Sequence, residues 1–416
     1  MSEFLGYRCS VCDQEYAPAD VTYLCPKDGG VLDVVLDYSA IKKTRRPNDF
    51  QKSADASIWR YLPLLPVGDP GLKATPLRAV GWTPVFAPKA LARELNLRQL
   101  WIKDESRNPT ASFKDRASAV VVARAKQIGV KTVVTASTGN AGAALAGMAA
   151  AAEMLAVIFA PKTAPPAKVA QLLIFGAQVI LVDGNYDAAV ELSRQAAEEF
   201  GWYCRNTGYN PFTAEGKKTA AFEIWEQVLL AEKLDRPLNV FIPVGDGNII
   251  SGIHKGFKDL HELGWLSIMP RIFGVQAEGS AAIANAFEAE TETIHAVSAN
   301  TLADSISVDL PGDGLRALRA ATQTGGDYVK VSDTEILAAL AELGRYAIFA
   351  EPAGAASFAG LRRALESGLI GAGDPVMVLN TGSGLKDVNA ARKAVKDAPI
   401  IEPSLAALKR AIEVMH

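Results

Sequence analysis

The sequence predicts an α/β fold built on parallel sheets covered by helices, and three observations carry that prediction. From Lys131 to Glu199 strand and helix patterns alternate. Lys131–Ala136, Leu155–Ala160 and Gln178–Val182 read as strands; Gly139–Ala152, Ala167–Phe175 and Tyr186–Glu199 read as helices. Such alternation implies right-handed βαβ crossovers and a parallel sheet with both faces covered. The second observation is a further apolar strand, Val240–Val244, that runs into the glycine-rich turn Gly245–Gly252 and then a helix. The third is size: 416 residues, 49% of them hydrophobic, can bury a large core and call for more than one lobe.

At the N-terminus, Cys9-x2-Cys12 and Cys25 followed by Pro26-Lys27-Asp28-Gly29-Gly30 have the spacing of a small zinc ribbon, with Asp28 where a fourth thiolate would stand. Residues 1–40 are read as a zinc-ribbon-like knob. Two readings stay open: zinc held by Cys9, Cys12, Cys25 and Asp28, or a knob that has lost its metal and is held by docking. Because a carboxylate is a harder and weaker zinc partner than a thiolate, any zinc is expected to be sub-stoichiometric or labile. From Ile41 to Asp69 the chain turns polar and basic and reads as a linker to an irregular edge segment. Residues 41–416 form the rest of the protein.

Leu100–Asp104 reads as a strand feeding the stretch Glu105–Arg124, ESRNPTASFKDRASAVVVAR. Its turn-forming residues give way at Phe113-Lys114-Asp115 to a helical pattern in which Ala117, Val120, Val121 and Ala125 recur. A lysine at that entrance feels the positive end of the helix dipole and partial desolvation, both of which favour the neutral amine and hence a nucleophile. On this segment alone, a solvated lysine paired with Asp115 or Glu105 explains it equally well.

Ser137-Thr138-Gly139-Asn140 falls at a strand end and opens a helix, a ready site for an anion as well as an ordinary helix cap. The run Ala141–Pro161 is apolar enough to raise a membrane question. Glu153 interrupts it, and its change from Ala/Gly-rich to β-branched and aromatic reads as a buried helix followed by a core strand. In the Gly245–Gly252 turn, backbone N–H groups can converge on a phosphate; the Asp246 carboxylate is expected to point away and its amide to serve. Glu215–Thr219 reads as the charged first turn of a helix, and Cys204 as a buried hydrophobe.

A net charge of −3 and an isoelectric point near 5.9 argue against a polyanion-binding surface, so no nucleic acid is expected. That balance also weighs against a zinc-dependent nucleic-acid adaptor. Four cysteines without a secretory pattern point to a reducing, cytoplasmic setting, with no membrane partner.

Several separated motifs then agree in order. NPTASFKDRA (108–117), STGNA (137–141), NPFTAEGKKTAAFEI (210–224) and TGSGLKD (381–387) resemble threonine synthases of the β-family (fold type II) of pyridoxal phosphate enzymes, over about Trp59 to Asp387. The resemblance implies two lobes, the smaller at about 115–210 and the larger at about 60–114 plus 211–416. It implies Lys114 as the lysine that holds pyridoxal 5'-phosphate and acts as catalytic base. Asn140 would meet the cofactor's phenolic oxygen, Gly245, Asp246, Gly247, Asn248 and Ile249 its phosphate, and Thr381 its ring nitrogen. Ser112, Ser137, Thr138 and Gly139 would receive the substrate. It further implies a homodimer acting on a small amino acid, O-phosphohomoserine plus water giving threonine and phosphate. Two departures fall on the substrate side. Thr213 stands where the family often has arginine, and TLADSISV (301–308) resembles serine/threonine dehydratases. Ammonia-lyase activity, or β-replacement on another phosphoamino acid, is therefore the alternative.

Overall fold

A computed structural model describes residues 3–232 and 234–415. The first forty residues make a sheet of their own. β1 (Phe4–Cys9), β2 (Glu15–Tyr16) and β3 (Leu32–Leu36) pair antiparallel in the order β2-β1-β3. Alternation along these short strands buries Tyr7, Cys9, Leu32, Val34 and Leu36, which join the core of the main body. The knob is thus docked by apolar contact, and ion pairs add to it: Arg316 Nη1 donates to Asp33 at 2.6 Å.

The segment read as a linker is more ordered than its composition suggests. It folds into helices Tyr38–Thr44 and Pro47–Gln51 and a 3-10 turn at Ile58–Leu64. Its aromatic residues account for the difference. Phe50, Trp59 and Tyr61 are buried, and Arg60 and the Tyr61 hydroxyl bind Glu226 at 2.5 and 2.8 Å, so tertiary packing overrides a polar local pattern.

The remaining strands are β4 (Val85–Phe86), β5 (Gln99–Asp104), β6 (Thr132–Ala136), β7 (Leu155–Pro161), β8 (Gln178–Val182), β9 (Tyr203–Cys204), β10 (Asn239–Pro243), β11 (Arg271–Ala277), β12 (Asp327–Val331) and β13 (Pro375–Asn380). They form two sheets. A four-stranded sheet in the order β8-β7-β6-β9 is parallel throughout. A six-stranded sheet in the order β12-β11-β10-β13-β5-β4 is parallel except for β4 at its edge. The βαβ reading of residues 131–199 is borne out, with β8 matching its expected bounds. The apolar run at 141–161 is the helix Asn140–Ala151 followed by β7, and among the described residues no helix is long and apolar enough to cross a membrane.

Two local readings change. The glycine-rich turn after β10 is only Gly245–Gly247, because the helix Asn248–Glu262 begins earlier than expected. Gly252 therefore lies inside that helix, where a Cβ would meet Lys217 Cβ at 2.7 Å; glycine serves close helix packing there. Residues 215–219 are not a solvated first turn. Lys217 and Lys218 are fully buried, and Lys218 pairs with Glu215 and, at 2.8 Å, with Asp259.

The helix Asn248–Glu262 also buries His254, whose pKa falls to about 3, chiefly through desolvation and then the nearby positive charge of Lys258. The native protein thus binds fewer protons at this site than the unfolded chain, whose histidine titrates near 6.5. His254 contributes stability that is intact above pH ~6.5 and lost as pH falls toward ~3, at up to about 1.4 kcal/mol per pH unit. Urea unfolding across that window should show the slope, and His254→Gln should flatten it. An unchanged slope in the variant would show that other groups carry the acid sensitivity.

Candidate active site

The carboxyl ends of β6, β7, β9, β10 and β13 converge on one cavity of about 810 Å³, as expected for ligand sites in parallel α/β sheets. Lys114 opens the helix Lys114–Gln127 and stands half-buried on the cavity wall. Desolvation lowers its pKa; Glu351 opposes the shift and Arg205 adds to it. Neither reading of Lys114 as partner of Asp115 or Glu105 matches its surroundings. Asp115 accepts from Thr110 N at 2.6 Å, and Glu105 binds Arg116 at 2.7 Å. Among the described residues no hydrogen bond engages the Lys114 amine.

A buried cluster fixes the start of this helix. Arg116 donates to Glu105 at 2.7 Å and to Glu223 at 2.5 Å, and Lys103 Nζ reaches Glu223 at 2.6 Å. The loop before the helix is stitched to the end of β13: Phe113 N donates to Thr381 O at 2.8 Å, and Ser383 N to Ala111 O at 3.1 Å. Lys114 and Thr381 therefore face one cavity across adjacent strands. Ser112, expected beside the substrate, is buried with its hydroxyl unpartnered and does not line the cavity.

Ser137, Thr138 and Gly139 line the wall after β6. Gly142, one turn into the next helix, lets the loop fold back, since a Cβ there would lie 2.0 Å from Ser137 O. Asn140 is buried, and its Nδ2 donates to both carboxylate oxygens of Glu351, at 2.9 and 2.8 Å. Burial raises the Glu351 pKa against the opposing Asn140 hydrogen bond and Lys114 charge. Glu351 belongs to the EPAGAA motif, which the sequence shows without a role, because its partner lies 211 residues away.

Beyond β10, Gly245, Asp246, Gly247, Asn248 and Ile249 all line the cavity. Gly247 has φ +95°, and a Cβ there would sit 2.7 Å from Asp313 O, so only glycine fits the turn. Asn248 is held from three sides. Lys217 Nζ and Thr213 Oγ1 donate to its Oδ1 at 2.6 and 3.1 Å, and its Nδ2 donates to Asp313 at 2.7 Å. Thr213, standing where an arginine was expected, is thus part of this support. The Asp246 carboxylate does not simply turn away. Oδ1 accepts from Gly312 N at 3.2 Å, while Oδ2 is buried without a partner. The dehydratase-like stretch lines the opposite wall through Asp304, Ser305, Ile306 and Ser307.

Arg205, just past β9, was not legible as a site residue. It is fully buried on the cavity wall. The sequence carries only one faint signal for it, an arginine directly after a two-residue apolar strand.

The glycine turn at a helix N-terminus, a lysine with a free amine, and two unpartnered buried polar atoms, Arg205 Nη2 and Asp246 Oδ2, fit a phosphorylated aldehyde cofactor. At the knob, the Cys12 and Cys25 sulfurs are 3.8 Å apart and Cys9 Sγ is 3.3 Å from Asp28 Oδ1; all four donor atoms lie within 4.8 Å of one another. A tetrahedron with zinc–sulfur bonds of about 2.3 Å has sulfur–sulfur edges of about 3.8 Å, so the donor set fits zinc.

Comparison with known proteins agrees with this geometry. The family of pyridoxal-phosphate dependent enzymes matches residues 77–382. A threonine synthase of Methanocaldococcus jannaschii is 37% identical over 409 residues, covering 98% of this chain and 99% of that one. One of Methanosarcina acetivorans is 36% identical and covers 97% and 98%. Among solved structures, threonine deaminase isoform 2 of Solanum lycopersicum has a TM-score of 0.62 at 22% identity, covering 87% of this chain and 89% of that one. Maize serine racemase has a TM-score of 0.62 at 22% identity, covering 80% and 92%. The chain belongs to the pyridoxal-phosphate dependent enzyme family, as a threonine synthase-like member with the fold type II architecture.

Proposed function

We propose that this chain converts O-phosphohomoserine and water into threonine and phosphate. The observation that supports the reading best is similarity to threonine synthases along nearly the whole chain, with Lys114, Asn140, the 245–249 turn and Thr381 on one cavity. Lys114 would hold pyridoxal phosphate, the 245–249 amides its phosphate, Asn140 its phenolic oxygen and Thr381 its ring nitrogen. Bound there, the cofactor supplies an electron sink for a carbanion beside the amino-acid nitrogen.

The protein's own groups then divide the work. The amine of Lys114, its ammonium form disfavoured by desolvation, takes the α-proton and returns protons later. Ser137, Thr138 and Gly139, at the N-terminus of the helix Asn140–Ala151, receive the substrate carboxylate. Glu351 holds the Asn140 amide in place. Thr381 offers a hydroxyl rather than a carboxylate, which suits prompt loss of a leaving group over long storage of charge.

Incubation with phosphohomoserine, threonine, serine and phosphoserine, with assay of phosphate and 2-oxo acid, tests the reading. Threonine and phosphate from phosphohomoserine are expected. Keto acid from threonine with no turnover of phosphohomoserine would establish the ammonia-lyase alternative, which the 304–307 wall favours.

The same reading takes the protein as a cytoplasmic homodimer, its lobes at about 115–210 and about 60–114 plus 211–416, with light scattering as the check on assembly. It also places zinc on Cys9, Cys12, Cys25 and Asp28. Metal analysis should find zinc that a chelator removes readily, and Asp28→Cys should make it chelator-resistant. Tight metal in the wild type would overturn the expected lability, and none in either protein would overturn the assignment.

A further inference from the structure

We infer that Arg205 is the group that receives the substrate's phosphate, a role no local motif assigns to it. The inference rests on the reading that the substrate is a phosphate monoester of an amino acid. Arg205 is completely buried, Nη1 donates to Thr207 Oγ1 at 2.6 Å, and Nε reaches Ser118 Oγ at 3.3 Å. Its third nitrogen, Nη2, is buried without any partner, on a residue that lines the same cavity as Lys114. A buried guanidinium is a planar fork of five donors that is costly to leave unpaired, and its preferred ligand is a carboxylate or a phosphate. No acidic side chain among the described residues comes within ion-pair distance of it. Asp246, whose charge acts on it most strongly, has its own Oδ2 unpartnered.

Arg205 borders the cofactor-phosphate turn, whose Asp246 is the charge that acts on it most strongly, yet it comes from the other sheet. Lys217, a buried amine on the same cavity whose ammonium form burial disfavours, donates to Asn248, which opens the helix behind the 245–247 turn. Asn248 itself follows β10 of the six-stranded sheet. Arg205 follows β9, beside β6 in the four-stranded sheet, and β6 ends in Ser137-Thr138-Gly139, the carboxylate site. An amino acid whose carboxylate meets Ser137–Gly139 thus has Arg205 on the same wall for a second anionic group. As the Cγ–O bond breaks, the electron pair leaves with the phosphate, and a fixed guanidinium stabilises the charge that develops there. Thr213 can replace an arginine in this chain because a cation reaches the cavity from a different strand.

Three measurements on the holoenzyme test this: kinetics with phosphohomoserine, calorimetric binding of inorganic phosphate, and cofactor affinity from its visible absorbance. Arg205→Gln should weaken phosphate binding and raise KM by about 100-fold. Cofactor affinity should stay within about threefold, since the amides and Lys217 remain. Arg205→Lys keeps the charge without the fork and should lose about tenfold. Should Arg205→Gln fail to fold, Arg205→Lys and Thr207→Val, which removes the acceptor orienting Nη1, decide the matter by the same phosphate titration. Unchanged phosphate binding in the variants, or loss of cofactor affinity in its place, would overturn the assignment. Phosphate binding that depends on Arg205 in an enzyme inert toward phosphohomoserine would instead refute the threonine synthase reading and keep Arg205 for another phosphorylated amino acid.

Discussion

Lys114→Ala should yield a folded, colourless protein. Reconstituted with pyridoxal phosphate, the wild type should be yellow from cofactor joined to the lysine, and the variant should lose both that absorbance and at least about 10⁴-fold in turnover. Folding should survive because no hydrogen bond among the described residues engages the Lys114 amine, and its helix start is fixed by Arg116 and by the contact of Phe113 with Thr381. The apoprotein variant should be at least as stable as the wild type, since desolvation disfavours the ammonium that is removed. Differential scanning calorimetry of the two apoproteins checks this. A variant that stays yellow after dialysis would mean that another lysine, with Lys217 nearest in the cavity, holds the cofactor.

Much of the site was legible because its parts are local. Lys114, Asn140 and the 245–249 turn each sit where a strand end meets a helix start, and the change from turn residues to a helical pattern marks such points in sequence. The fold was legible for the same reason, as short apolar strand runs and helical segments alternate through the four-stranded sheet. What was missed depends on distant convergence. Glu351 acquires meaning only against Asn140, and Arg205 only when β9 is placed beside β6. Lys217 and Lys218 look solvated in sequence, because charge predicts exposure until buried partners such as Asn248 and Asp259 are known. Ser112 is another case in which the local pattern is silent about surroundings. Its backbone pairs with Gly382, next to Thr381, and its hydroxyl is buried without a partner.

Glu223→Ala should be the most destabilising single change in the catalytic body. The Glu223 carboxylate is fully buried and accepts from Arg116 at 2.5 and 2.7 Å, Lys103 at 2.6 Å, Trp82 N at 2.7 Å and Thr83 N at 3.2 Å. Its pKa is lowered to about 2, with Arg116 and then Lys103 overcoming the cost of burial. Replacing the anion by alanine leaves Lys103 without its ion pair, Arg116 with Glu105 alone, and two backbone N–H groups without their acceptor in a dry interior. Breaking one buried pair costs about 3–5 kcal/mol, and the whole protein has only about 5–15 kcal/mol to lose. Glu223→Gln keeps the volume and one acceptor and should lose less. Removing one pair together, as in Lys103→Met with Glu223→Leu, takes out both of its charges, leaves Arg116 on Glu105 and should recover stability relative to Glu223→Ala. Cofactor colour should follow stability in this series, because Arg116 lies two residues beyond Lys114 in the same helix turn. Denaturant unfolding with absorbance as a second probe tests both points. A Glu223→Ala protein within about 1 kcal/mol of the wild type would mean that water reaches this cluster and solvates the charges the interior was taken to isolate.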